Sequence, residues 1–86
     1  MNRRKLLRRF AQGAYQNVSF NDMLKLVEGF GFQFARREGS HQIYTHPNIK
    51  ELVNLQEVKG EAKPYQIRQF LKLVEKYNIK LEEEMK

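Results

Sequence analysis

The residues of this chain best equipped for chemistry stand together in Arg36-Arg37-Glu38-Gly39-Ser40-His41-Gln42-Ile43-Tyr44-Thr45-His46-Pro47. Histidine ordinarily titrates at about pH 6.5, so an imidazole takes or gives a proton near neutrality. A guanidinium grips two phosphate oxygens at once. Cleaving RNA without a metal needs a base for the 2′-hydroxyl, an acid for the leaving 5′-oxygen, and cations for the charged transition state. His41 is the candidate proton carrier, and Arg36 and Arg37 are candidate phosphate ligands. Gly39 would let backbone approach backbone, and Ser40 offers a hydroxyl donor. As residue types alone, the same stretch also fits the commoner case of a plain surface histidine in a hairpin.

His46 and Tyr44 follow on the same segment. Along a strand, side chains alternate, so the spacing of His41 and His46 sends them to opposite faces and argues against a shared acid–base pair or metal site. His46 also precedes Pro47, which holds its backbone extended. No Asp or Glu stands at a supporting metal-ligand spacing. The chain has no phosphate-cradling glycine loop, serine-hydrolase motif or zinc-finger spacing. No metal and no cofactor is expected. Tyr44 and His46 are candidates for stacking on exposed bases, and an ordinary exposed strand face fits them equally well. Lys59 and Lys63, in a polar segment further on, are candidate phosphate contacts.

These groups need elements to hold them. Phe32 to Arg37 alternates as a half-buried strand does, with Phe32 and Phe34 toward the core. Glu38-Gly39-Ser40 has the length of a hairpin turn, and His41 to His46 is the return strand. If Ile43 faces the core, His41 and Thr45 share its side; at the first strand position His41 could also stand at the rim. Leu52 to Gln56 is a third strand, and Glu57 to Lys63 a polar, mobile loop. Ser19 is a good N-cap for a helix whose Phe20, Met23, Leu24, Val27 and Phe30 form an apolar stripe, with Gly29 and Gly31 as its stop. Pro64 opens a second helix striped by Ile67, Phe70, Leu71 and Val74. An additional helix from Arg3 to about Gln12 carries Leu6, Leu7, Phe10 and Ala11 on one side and basic residues on the rest. The expected fold is α+β: an α-β-β-β-α order, three antiparallel strands with two helices on one face, as in double-stranded-RNA-binding domains, plus the basic N-terminal helix.

With 86 residues, one domain is expected. It divides into a basic helical extension (1–15), the domain proper (16–81) and an acidic tail (82–86). The net charge is +6. Residues 1–15 hold five basic side chains and no acid, so the rest of the chain is nearly neutral. A basic block attracts nucleic acid; a helix docked on the domain with a solvated basic face is the plainer alternative. The absence of cysteine excludes disulfides and thiol catalysis and fits a reducing compartment. No apolar run approaches the roughly 20 residues of a membrane span, so a soluble, cytoplasmic protein is expected.

Arg-x-x-Gly-Ser-His, an aromatic three residues on, and then His-Pro resembles the HicA toxins. The matching positions are Arg36, Gly39, Ser40, His41, Tyr44, His46 and Pro47. Phe20 to Phe32 is similar to that family's first helix and its Gly-Phe entry to the first strand, and Pro64 to Leu71 to its last helix. The likeness covers about residues 18–78. It implies an mRNA interferase, the toxin half of a type II toxin–antitoxin pair, cutting RNA without a metal or organic cofactor. It also implies a catalytic histidine at His41 and a HicB antitoxin that covers the active surface. Many members carry Pro-x-His in the third strand, where this chain reads Asn54-Leu55-Gln56. Two other functions remain compatible with the residues: a non-catalytic RNA-binding module and a protein-interaction module without nuclease activity.

Overall fold

Two helices begin at a side-chain cap and the third at a proline. The computed structural model describes residues 2–82, and within them the elements run α1 (Arg3–Ala11), α2 (Phe20–Gly29), β1 (Gln33–Glu38), β2 (His41–His46), β3 (Ile49–Val58), β4 (Glu61–Ala62) and α3 (Pro64–Tyr77). Of the acidic tail, 83–86 lie outside the described residues. The Asn2 side chain accepts the Lys5 N–H at 2.8 Å to start α1, and Ser19 Oγ accepts the Asp22 N–H at 3.3 Å to start α2. Pro64 occupies the start of α3, where its missing N–H costs nothing. Asn78 ends that helix in the left-handed region at φ 50°.

The strands form one antiparallel sheet in the order β1-β2-β3-β4. Its inner face presents Tyr44, Val53 and Leu55 to the helices. Phe20, Met23, Leu26 and Val27 of α2 and Ile67 and Phe70 of α3 complete the core. Phe70 meets Phe30 and Phe32 edge-on at 5.7 and 5.5 Å. Burying each such side chain is worth about 1.5–3 kcal/mol. The chain therefore adopts the expected α+β layout of helix, antiparallel sheet and helix, with the N-terminal helix in place. Leu6 and Phe10 of α1 belong to the same buried cluster.

Local geometry departs from the expected elements in several places. The segment Glu57 to Lys63 is a hairpin rather than a loop: β3 runs on to Val58, Lys59 and Gly60 turn at φ 52° and 78°, and β4 pairs back. Two positive φ values in succession are the type I′ hairpin turn. Phe34 is not in the core. It is 54% exposed, because edge strand β1 runs out beyond the helices, and its ring only leans on Tyr44 at 5.7 Å. Gly29 is the last residue of α2, as expected, and Gly31, at φ 92°, makes the left-handed turn after it. At Gly29 a Cβ would stand 2.6 Å from Arg3 Cδ and 2.9 Å from Leu81 Cδ1. It is a packing glycine, over which α1 and the C-terminal residues cross.

Candidate active site

The sheet's outer face, opposite the helices, collects the groups singled out by type. Register places His41 across from Glu38 on one side and Gln56 on the other, and Ile43 across from Arg36 and Asn54. Directly opposed residues in antiparallel strands share a face. Tyr44 points inward, so its neighbour Ile43 points outward, and His41 with it. A bulge at Ala35 brings Arg36 to that face, since Phe34 pairs with Tyr44 and Arg36 already with Ile43. Without the extra residue, Phe34 and Arg36 would lie on one side.

His41 is half-buried, and its Nδ1 lies 2.8 Å from Asn54 Oδ1. An amide oxygen only accepts, so in the neutral ring this contact favours the tautomer with the proton on Nδ1 and the lone pair on Nε2. The adjacent turn is held in the same way. Gln56 Nε2 donates to Ser40 Oγ at 3.1 Å, and the Glu57 N–H to the Ser40 carbonyl at 3.4 Å. Gln56 is held from behind: its N–H donates at 3.2 Å to Oε1 of Gln66, a buried polar side chain of α3. That amide substitutes for a strand partner where β4 has already ended. Asn54, Gln56 and Gln66 are thus parts of the site that residue types did not reveal. Their signal is the register, which only pairing supplies.

The cations divide between the two faces. Arg36 Nε donates to Glu38 Oε2 at 2.5 Å on the His41 face, both side chains more than half exposed. Arg37 pairs in register with Gln42 on the other side and folds over the turn, its Nε donating to the Gly39 carbonyl at 3.1 Å. Gly39 is required by its φ of 61°, not by crowding, for a Cβ there would meet open space. Tyr44 is not available for stacking: it is 2% exposed on the inner face, and its hydroxyl donates to Glu28 Oε2 at 3.2 Å. Burial first, and the Glu28 carboxylate second, push its phenol up to about 12. His46 also turns inward. It meets Phe32 at 5.0 Å, and its Nδ1 accepts the Asn48 N–H at 3.1 Å. Lys59 and Lys63 are exposed beside the β3–β4 turn, at the end of the sheet where Gln56 pairs with His41. Among the described residues, no three His, Asp or Glu side chains converge as a metal site would require, and no helix is long and apolar enough to cross a membrane.

This arrangement can take a proton at Nε2, offer a guanidinium on the same sheet face and offer a hydroxyl held at the turn. Against known proteins, the family model described as the HicA toxin of bacterial toxin–antitoxin matches residues 20–75, from the start of α2 almost to the end of α3. No curated protein and no solved structure matches the chain.

Proposed function

Because the chain belongs to the HicA toxin family of bacterial toxin–antitoxin systems, we propose that it is a metal-independent RNA endonuclease acting through His41. The observation that carries this reading is the 2.8 Å contact of His41 Nδ1 with Asn54, which favours Nε2 as a base on the sheet face that Arg36 shares. In the proposed reaction Nε2 removes the 2′-hydroxyl proton. The 2′-oxygen attacks phosphorus, the bond to the 5′-oxygen breaks, and that oxygen takes a proton from solvent. The products are a 2′,3′-cyclic phosphate and a 5′-hydroxyl. Arg36 holds the phosphate as charge develops on it, exchanging the Glu38 carboxylate for phosphate oxygens. That exchange is easy, since an exposed ion pair is worth only about 0–1 kcal/mol. Asn54 and Gln56 serve where many members carry a third-strand histidine: one orients the imidazole, the other the Ser40 hydroxyl.

Membership in the family implies an antitoxin partner. We take that partner to be HicB-like, covering the outer face. The test of the catalytic reading is cleavage of an mRNA in EDTA by wild type and by His41→Ala, with circular dichroism to verify both folds. Wild type should give cyclic-phosphate ends, and His41→Ala should be slower by about 10²–10⁴-fold. Equal cleavage by a folded His41→Ala protein rejects the assignment. RNA bound but uncut by both proteins indicates a binding module instead.

A further inference from the structure

The basic residues of α1 are of two kinds. Arg3 and Arg9 are half-buried and spent on the fold: Arg3 Nε donates to the Lys25 carbonyl, and Arg9 Nη2 to the Gln16 carbonyl at 2.7 Å. Arg4, Lys5 and Arg8 are exposed. They lie opposite the side on which Leu6 and Phe10 are buried, and Leu7 and Ala11 join Arg4 and Arg8 in lining a shallow depression there.

Among the described residues, no hydrogen bond or ion pair of their side chains accounts for those three. Arg4 and Lys5 stand in the first turn of a helix with no acidic residue there, where the helix dipole disfavours cations. Arg4 and Arg8, four apart on the helix, repel each other. A solubilising surface would mix both signs. Residues that break local rules without a structural return mark a functional surface. This surface also lies outside the family match, which begins at residue 20.

Its position separates it from His41. α1 packs chiefly on α2, in the layer that covers the sheet's inner face, and His41 lies on the outer face. We propose that Arg4, Lys5 and Arg8 form a second nucleic-acid contact, binding the phosphate backbone of an RNA too long to be held at His41 alone. Three clustered cations and no aromatic among the exposed α1 side chains suit phosphates rather than bases. The proposal does not rest on catalysis at His41, because binding and cleavage are read separately.

The test uses the full chain carrying His41→Ala, with a labelled single-stranded RNA of about 30 nucleotides, and measures affinity across salt concentrations. Releasing counterions from three phosphates contributes about −2 to the slope of log K against log salt for a single strand. The triple variant Arg4→Gln, Lys5→Gln, Arg8→Gln keeps residues of similar helix propensity. It should flatten the slope by about 2 and weaken binding by on the order of a hundredfold at 0.1 M salt. A charge-matched control, with exposed Lys50, Lys72 and Lys80 changed to Gln, should keep most of the slope. DNA of the same length should respond to the α1 variant as RNA does, which identifies the phosphates as the ligand. In the protein with His41 intact, a dinucleotide too short to reach α1 should be processed alike with and without the α1 changes. An unchanged salt slope in a folded α1 variant overturns the proposal. So does an equal loss in the control, or an α1-dependent affinity for anionic lipid vesicles in place of nucleic acid.

Discussion

His41 depends on a neighbour thirteen positions along the chain. In the proposed reaction the amide of Asn54 selects which nitrogen of the neutral ring is protonated and leaves the Nε2 lone pair to act as the base. Asn54→Ala should therefore lower the cleavage rate by about tenfold, the order of one hydrogen bond worth about 1.4 kcal/mol, while the protein stays folded. Nitrogen NMR of the imidazole should show two tautomers in the variant and one in wild type. A variant with wild-type rate and a single tautomer would remove Asn54 from the site. Tyr44 makes a prediction on the inner face. Its phenol is held neutral from an ordinary value of 10.0 up to about 12. A folded-state value raised in this way contributes stability that is whole below pH 10 and fades as pH rises through 12. Ultraviolet titration should show a late tyrosine near pH 12 that Tyr44→Phe abolishes, and that variant should lose stability less steeply between pH 10 and 12. A titration unchanged by the substitution would mean that the phenol is not buried against Glu28. The sequence made the Gly39-Ser40-His41 turn legible because its residue types are unusual together. It did not make the face legible. Ile43 and Tyr44 are adjacent and both buried, so alternation could not say which was core. Asn54 and Gln56 read as ordinary polar strand residues until register set them beside His41 and Ser40.

Helices were legible where caps and apolar stripes agree, as at Ser19 and Pro64. The sheet was less so, because its decisive features are irregularities. A one-residue bulge at Ala35 carries no residue signature, yet it decides that Arg36 shares a face with His41. The Lys59-Gly60 turn lacks the Asn-Gly or Asp-Gly pair that announces such hairpins, so β4 reads as loop. Gly29 has a role that its place at a helix end conceals. It closes α2, and it also admits Arg3 and Leu81. Gly29→Ala should gain roughly 0.5–1 kcal/mol from helix propensity and lose about 1–3 kcal/mol to overpacking, a net destabilisation of about 1 kcal/mol. In an Arg3→Ala background part of the clash is gone, so the same change should cost less or turn neutral. Urea unfolding of the four proteins measures that coupling. Equal costs in both backgrounds would show that α1 does not press on α2 at this point.

At the scale of the molecule, the question is whether α1 is an appendage or part of the domain. Its stripe of Leu6 and Phe10 signalled docking in the sequence, but not the surface it docks on. The structure gives that surface as α2, with Leu6 1% and Phe10 2% exposed. Phe10 leans on Tyr15 at 5.7 Å, and Arg68 of α3 covers Tyr15 at 5.9 Å, so the N-terminal helix is tied to both helices beneath it. A chain of 86 residues has little core to spare. Phe10→Ala should accordingly cost about 3–5 kcal/mol, a large share of a typical stability of about 5–15 kcal/mol, and should do so in one cooperative transition. Loss of α1 alone, as an early separate transition with the later midpoint unmoved, would make it an appendage. The comparison with the Arg4, Lys5 and Arg8 variant then separates two roles of one helix. Changing its outward cations should weaken nucleic-acid binding at unchanged stability. Cutting its inward aromatic should lower stability first, and under conditions where the domain remains folded it should leave the salt slope of binding intact.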